Sequence, residues 1–254
     1  MNTSTYIDTH AHLFAEEFAA DADQVISRAC DCGVGKMIMP AISPQSYDAM
    51  EALAARYPGR LFAAMGLHPT EQGDLEEASK RLERHRDRYV AIGECGLDLY
   101  WHPETSEWQQ ELLNRHFELA RRYDLPLIIH TREAMSLMRQ MLSQNEGVRG
   151  VMHGFSGTAD DYRAIRSMGD MLFGIGGVVT FKNSQLPEVV AAMSLDDMVL
   201  ETDSPYLSPV PFRGRRNESC RIPLIASRIA EIKGCSAEEV ARATTANALR
   251  MFRL

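Results

Sequence analysis

The chain has 254 residues, of which 45 % are hydrophobic and 24 % are charged, an ordinary globular composition and a length typical of one α/β barrel of about 250 residues. No apolar run approaches the ~18 residues that a membrane helix needs, and we expect no signal peptide because no apolar segment opens the chain. The net charge of −8 excludes a nucleic-acid binder that relies on general electrostatic attraction, so any nucleic acid must be held locally.

The cysteines give no sign of a disulfide framework. There are five of them, an odd number, and no regular spacing relates them. This fits a reducing compartment, and we expect the protein to be cytoplasmic. The sequence indicates neither membrane association nor an obligate protein partner.

Short apolar runs alternate with helical patterns along the chain, as in parallel α/β folds. The runs predict eight strands, at residues 6–12, 36–39, 61–65, 90–94, 127–130, 151–153, 171–175 and 198–203. No linker, repeat, low-complexity tract or charge block divides the sequence. We therefore expect residues 1–254 to form a single α/β domain, a (β/α)8 TIM barrel with its functional site at the carboxyl ends of the strands.

Two helix starts carry the pattern of a capping box, in which a hydroxyl residue precedes Glu or Gln by three positions. Ser106 with Gln109 predicts the start of one helix, and Ser236 with Glu239 predicts the start of the last. After the eighth strand, residues 204–217 are rich in proline and arginine. We expect this loop to lie over the active face, where loops carry specificity on such scaffolds.

Six residues with metal-binding side chains close five of the predicted strands. The carboxyl ends of barrel strands meet on one face, so we expect these side chains to share one pocket. They are His10, His12, Glu94, His130, His153 and Asp203. The set predicts a site for two divalent ions, with magnesium, manganese and zinc as candidates.

The spacing and chemistry of these residues suggest separate roles. His10 and His12 lie two positions apart, so on one strand both rings reach the same ion. Glu94 can bridge two ions with one oxygen to each. Asp203 can ligate an ion, accept a proton from attacking water, or do both, and we name Asp203 and Glu94 as catalytic candidates. Two divalent ions would outweigh the charges of the two carboxylates, so the loaded pocket would attract a phosphodiester anion.

Three further residues are candidates for substrate binding. His68 follows the third strand, and Arg132 lies two positions after His130, on the same side if that strand continues. Either side chain can contact a phosphate oxygen. Arg213, in the loop of residues 204–217, can hold a polyanion.

The motifs around these residues, taken in order, resemble the TatD family of metal-dependent deoxyribonucleases, a branch of the amidohydrolase superfamily. The likeness extends from the first strand to Asn247. The motifs are Ile7-Asp8-Thr9-His10-Ala11-His12, Gly66-Leu67-His68-Pro69, Gly93-Glu94-Cys95-Gly96-Leu97-Asp98, His130-Thr131-Arg132, His153-Gly154-Phe155-Ser156-Gly157 and Leu200-Glu201-Thr202-Asp203-Ser204-Pro205.

The resemblance implies a TIM-barrel DNase that removes nucleotides from the 3′ end of single-stranded DNA. It also implies a first ion among four side chains and a second ion that Glu94 bridges to the first. The first set is His10, His12, Glu94 and Asp203, and the second ion is held by His130 and His153.

Two positions depart from the family pattern. Thr70 stands where many relatives carry a second histidine after the Gly-x-His-Pro motif, and Asn217-Glu218-Ser219 replaces the frequent Asn-Glu-Pro. Both lie on the substrate side of the predicted pocket. They bear on the preferred strand, end and length of DNA and leave the metal ligands unchanged.

Two alternatives remain open at the level of sequence. One is a different hydrolase of the superfamily, acting on an ester or amide, such as a deacylase similar to the D-aminoacyl-tRNA deacylases. Many binuclear amide, ester and phosphotriester hydrolases of the superfamily bridge their metals with a carboxylated lysine after the fourth strand, whereas residues 89–103 contain Glu94 and no lysine. A deacylase acting on mischarged tRNA needs similar metals, so this difference does not exclude it. The other is a non-catalytic metal-binding module, which would not need an open pocket with an acid–base carboxylate.

Overall fold

The parallel sheet of this protein places all of its strands in sequence order, each beside its neighbours. The computed structural model describes residues 6–254. The strands are β1 Tyr6–Asp8, β2 Val34–Pro40, β3 Leu61–Met65, β4 Tyr89–Asp98, β5 Leu127–Arg132, β6 Gly150–Met152, β7 Met171–Ile175 and β8 Met198–Leu200.

Helices connect successive strands, as the alternating pattern predicts. The α-helices are α1 Ala22–Asp31, α2 Pro44–Arg56, α3 Glu76–His85, α4 Ser106–Tyr123, α5 Met135–Ser143, α6 Ala159–Arg166, α7 Leu186–Ala192, α8 Ile222–Lys233 and α9 Ala237–Phe252. Short 3-10 turns lie at Glu16–Phe18, Arg86–Arg88, Pro103–Thr105, Gly177–Thr180, Leu195–Asp197 and Ser219–Arg221. Within residues 6–254, no helix has the length and apolar character needed to cross a bilayer.

Hydrogen bonds between the first and last strands close the sheet into a barrel. The Thr9 N–H donates to the Leu200 carbonyl over 3.0 Å. The Asp8 carboxylate accepts the Thr202 hydroxyl over 2.6 Å and the Thr202 N–H over 3.0 Å. Asp8 is fully buried, and an unpaired carboxylate there would be costly. The two hydrogen bonds from Thr202 satisfy it. The predicted (β/α)8 barrel is confirmed.

Alternate strand residues divide the core into two layers, because successive side chains point to opposite faces. One side chain from each strand fills the barrel interior: Ile7, Ile38, Ala64, Ala91, Ile128, Val151, Leu172 and Val199. Helix α9 closes the amino-terminal end of the barrel with Met251 and Phe252. The larger outer layer packs the strands against the surrounding helices.

The strand bounds agree with the sequence prediction for β3 and β7 and differ elsewhere. β1 and β8 end before the residues predicted to close them. β4 continues to Asp98 and β5 to Arg132, beyond the predicted ends. The extension is possible because Gly96 pairs with His130 at a point where a Cβ atom would collide with the His130 carbonyl oxygen.

One predicted capping box is confirmed and the other is wrong. The Ser236 hydroxyl accepts the Glu239 N–H over 3.2 Å, and the Glu239 carboxylate accepts the Ser236 N–H over 2.9 Å. Ser106 is instead the first residue of α4, because a 3-10 turn leads into that helix. Gln109 turns away to the end of β4, where it accepts the Asp98 N–H over 2.7 Å and donates to the Asp98 carbonyl over 2.9 Å.

Candidate metal centre

Two imidazole rings and a carboxylate face one another where β1 and β4 reach the barrel mouth. His10 and His12 lie in the loop after β1, and their Nε2 atoms are 3.1 Å apart. Oε2 of Glu94 lies 3.2 Å from the first of these nitrogens and 3.7 Å from the second. All three side chains are buried.

Asp203, from the loop after β8, completes this first donor group. Its Oδ1 lies 3.5 Å from Nε2 of His12 and 3.8 Å from Nε2 of His10. Donor atoms bound at about 2.1 Å in a tetrahedron are ~3.4 Å apart. The observed spacings fall around that value, so the four side chains fit a divalent ion.

The other oxygen of Glu94 faces a second donor group. Its Oε1 lies 3.3 Å from Nδ1 of His130 and 3.6 Å from Nε2 of His68. Glu94 therefore presents one carboxylate oxygen to each group, which is the geometry of a bridging ligand.

His153 lies between the two groups. Its Nε2 is 3.9 Å from Oε1 of Glu94 and also 3.9 Å from Oδ1 of Asp203. Its ring stacks on that of His10, with centroids 3.4 Å apart. A small movement would bring this nitrogen to an ion in either group.

Two buried carboxylates that we did not predict hold the outer ring nitrogens of these histidines. Oδ2 of Asp98 lies 3.0 Å from Nε2 of His130. Oε1 of Glu201 lies 2.9 Å from Nδ1 of His153 and accepts the Gly154 N–H over 2.6 Å. A proton on each outer nitrogen leaves the inner nitrogen free to bind a metal, and such partners fix both tautomer and ring orientation.

A sequence signal exists for one of these carboxylates. Asp98 lies four positions after Glu94 on the same strand, so alternation places both on one face. Glu201 precedes Asp203 by two positions, but β8 has already ended and alternation no longer applies. Its place beneath β7 depends on Gly174, where a Cβ atom would collide with the Glu201 carboxylate.

His68 differs from the two carboxylate-held histidines because its proton lies on the pocket-facing nitrogen. The Thr70 N–H donates to Nδ1 of His68 over 3.2 Å, and the Thr70 hydroxyl lies 2.6 Å from the same nitrogen. Nδ1 is thus an acceptor, and the proton is on Nε2, facing the pocket. Thr70, a departure from the family pattern, therefore orients His68 as a hydrogen-bond donor.

The charges of the pocket favour a bound cation. Burial lowers the pKa of His153, but the carboxylates of Glu201, Glu94 and Asp203 outweigh burial and raise that pKa to about 10. Burial likewise opposes ionisation of Glu94, yet the neighbouring imidazoles hold its pKa well below the usual value. Negative carboxylates are thus stable here only beside positive charge, which a divalent ion supplies.

The predicted substrate-binding residues divide into two that reach this pocket and one that does not. His68 and Arg132 line a cavity of about 530 Å³ above the donor groups. Arg213 instead lies with its guanidinium 4.2 Å from the centroid of the Phe181 ring, away from the cavity lining. A neighbouring, mostly apolar cavity of about 480 Å³ reaches Asp203 from the side of Phe155 and Leu186.

Comparisons with known proteins place this chain among metal-dependent hydrolases. A family model described as TatD related DNase matches residues 7–253. The uncharacterized metal-dependent hydrolase YabD of Bacillus subtilis is 38% identical, over 97% of this chain and 98% of that protein. The 3′-5′ ssDNA/RNA exonuclease TatD of Pantoea vagans is 33% identical, over 97% of this chain and 99% of that protein. The crystal structure of the TatD homologue YjjV from Escherichia coli superposes with a TM-score of 0.93 at 32% identity, covering 100% of both chains.

Proposed function

Because the chain belongs to the TatD family of metal-dependent hydrolases, we propose that it is a deoxyribonuclease that removes nucleotides from the 3′ end of single-stranded DNA. The observation that carries the proposal is the pair of donor groups facing the two oxygens of Glu94. Two ions about 4 Å apart are a recurrent arrangement for phosphodiester hydrolysis. The name of the Pantoea vagans relative, a 3′-5′ ssDNA/RNA exonuclease, supports the direction and the substrate.

We assign two divalent ions to the two donor groups. The first would be held by His10, His12, Glu94 and Asp203, and the second by Glu94, His130 and His153. Imidazole and carboxylate together suit zinc and manganese, and magnesium accepts fewer nitrogen ligands. When bound, such ions polarise a phosphoryl oxygen and lower the pKa of a coordinated water.

Asp203 is the proton acceptor in this proposal. Oδ1 is the oxygen nearest to His10, His12 and His153, and we assign the other oxygen to the attacking water. Burial alone would raise its pKa, but contact with His12 and the neighbouring histidine charges bring the pKa below the usual value. The carboxylate is therefore ionised at neutral pH and can take a proton.

His68 and Arg132 position the phosphate. Burial lowers the pKa of His68 to about 4, so at neutral pH the ring is uncharged and donates one hydrogen bond through Nε2. Arg132 is exposed at the end of β5 and can pair with a phosphate of the strand. The two side chains thus bind the backbone without reading a base, as degradation of varied sequence requires.

The test is a nuclease assay on the metal-loaded protein. Oligonucleotides, single- or double-stranded and labelled at either end, are incubated with the protein and magnesium, manganese or zinc, with Glu94→Ala as the matched inactive variant. We expect a ladder of products that shortens from the 3′ end of the single strand. An aminoacyl ester is assayed in parallel. Hydrolysis of the ester alone, across all three metals, would replace the nuclease by a deacylase.

A further inference from the structure

Two consecutive aromatic side chains stand exposed at the rim of the metal centre. Tyr100 is 52% exposed and Trp101 is 60% exposed, although side chains of this size are largely buried in most proteins. Their rings meet edge to face with centroids 4.9 Å apart. Trp101 lines the same cavity as His68 and His130. We call this pair, Tyr100 and Trp101, the aromatic shelf.

A positive charge covers the shelf. The guanidinium of Arg132 lies 4.0 Å from the centroid of the Tyr100 ring and 5.4 Å from that of Trp101. In the part of the chain that the structure describes, no carboxylate pairs with Arg132. The rim therefore offers an exposed aromatic face beside an uncompensated cation, which complements a strand of stacked bases on an anionic backbone.

The shelf is tied firmly to the second donor group. Oδ1 of Asp98 accepts the N–H groups of Tyr100 and Trp101 over 3.0 and 2.9 Å. Oδ2 of the same carboxylate holds His130. Gln109 donates to the carbonyls of Asp98 and His102, which closes the turn from below. One carboxylate thus sets the position of the aromatic rings relative to a metal ligand.

We propose that the aromatic shelf stacks a base of the substrate strand next to the scissile phosphate while Arg132 binds the adjoining phosphate. The proposal rests on the nuclease function above and adds the site that selects an unpaired strand. A base in a duplex is stacked on its neighbours and unavailable to a flat ring, whereas stacking on an aromatic side chain tolerates every base. The shelf therefore gives strand preference without sequence preference.

A double-mutant cycle, which combines the variant Trp101→Ala with an abasic position in the DNA strand, tests the stacking contact. The value of kcat/KM is measured for the parent and Trp101→Ala on a single strand in which one abasic position is moved inward from the 3′ end. Loss of a stacked base is expected to cost about 5- to 140-fold. In the parent, one abasic position should lower kcat/KM by that amount. On the intact strand, kcat/KM of Trp101→Ala should be lower than that of the parent by the same factor. On the strand with the abasic position that affects the parent, kcat/KM of Trp101→Ala should fall no further.

Two variants serve as controls. Trp101→Phe keeps an aromatic face and should retain most of kcat/KM. Arg122→Gln alters an arginine whose guanidinium lies 5.4 Å from the Tyr123 ring, at the far end of α4 from the shelf, and should match the parent. Arg132→Gln, by contrast, should lower kcat/KM and reduce the slope of its logarithm against the logarithm of salt concentration by about 0.7. Metal content and circular dichroism are recorded for every variant to show intact protein.

The outcomes separate this proposal from the function on which it rests. If the parent cuts single strands but the losses from Trp101→Ala and the abasic position multiply at every position, the shelf stacks no base and only this inference is overturned. If the metal-loaded parent neither binds nor cuts a single strand, the nuclease function falls and the shelf proposal falls with it. Equal kcat/KM for Trp101→Ala and the parent on intact strands also overturns the shelf alone.

Discussion

Oδ2 of Asp98 lies 3.0 Å from Nε2 of His130. The other ring nitrogen, Nδ1, is 3.3 Å from Oε1 of Glu94. The buried carboxylate therefore keeps a proton on one nitrogen and turns the unprotonated one toward the second donor group. The same carboxylate anchors the aromatic shelf, so metal binding and substrate binding share one support.

Asp98→Asn should weaken the second metal site selectively. An amide donor would face the protonated nitrogen of His130, and the ring would lose its preferred tautomer. Outer partners of this kind are worth about 10- to 100-fold in metal affinity. Titration with manganese or zinc, followed calorimetrically, should show one site weakened by that factor and one unchanged. Asp196→Asn, a change at an exposed position, is the control, and equal affinity in both variants would contradict the role of Asp98.

Glu94→Ala should abolish hydrolysis while leaving the barrel folded. The substitution removes the carboxylate that presents one oxygen to each donor group, so both ions lose a ligand. We expect activity to be lost and metal content to drop. Circular dichroism should be nearly unchanged because Glu94 is not part of either apolar core cluster. An unfolded variant, or one with full activity, would each contradict the assignment.

Asp203→Asn separates metal binding from proton transfer. Asparagine keeps the shape and one coordinating oxygen but cannot accept a proton. We expect bound metal and single-strand affinity to stay within a few-fold of the parent while single-turnover cleavage falls by at least ~10²-fold. Elemental analysis, fluorescence anisotropy and quench-flow cleavage measure the three quantities. Cleavage at nearly the parental rate with metal bound would remove Asp203 from the role of base, and loss of metal would make it chiefly a ligand.

His116 gives the fold a calculable dependence on pH. It is fully buried, accepts the Leu67 N–H at Nε2 over 3.1 Å and donates from Nδ1 to the Leu112 carbonyl over 2.9 Å. Burial lowers its pKa from 6.5 to about 4. The unfolded chain therefore binds this proton first as the pH falls, and stability present above about pH 6.5 is lost progressively toward pH 4.

The test of this dependence compares His116→Gln with the parent. Up to about 3 kcal/mol of the free energy of unfolding depends on the His116 proton between these pH values. The parent should therefore lose more stability than His116→Gln between pH 7 and pH 4.5, as measured by urea denaturation. His85→Gln, at a half-buried position on α3, should follow the parent. Parallel curves for the parent and His116→Gln would show that the pKa of His116 is the same in the folded and unfolded states.

Gly174→Ala should disturb the support of His153. A Cβ atom at this position would collide with the Glu201 carboxylate, which is buried and held against His153. We expect a loss of about 1–3 kcal/mol in the free energy of unfolding, as for other overpacked cores, together with weaker metal binding. Gly176→Ala is the matched control, because its Cβ atom would have no neighbour closer than 3.7 Å. Equal stability of the two variants would show that Glu201 can move at little cost.

Alternation along strands and the residues at strand ends are the features that the sequence predicts best. The bounds of β3 and β7 are predicted correctly because turn residues flank both runs. The positions of Asp98 and Glu201 were missed because a carboxylate beside a histidine depends on which strands are neighbours and on where a glycine leaves room. Arg213 was expected to face the substrate, but without a phosphate its guanidinium lies over the ring of Phe181. The capping box at Ser106 failed for a similar reason, since the end of β4 binds the glutamine that the box required.

The hydrogen bonds that join β1 to β8 can form only late in synthesis, so the barrel closes only when the chain is almost complete. Asp8 and Thr202, which bond across this junction, are 194 positions apart. A ribosome adding about 5–20 residues per second needs on the order of 10–40 s to pass from one to the other. Throughout that interval the nascent sheet has an open edge at β1, whose unpaired N–H and C=O groups can pair with other chains. Among the described residues, β1 spans Tyr6 to Asp8, so the described part of this edge offers few groups for such pairing.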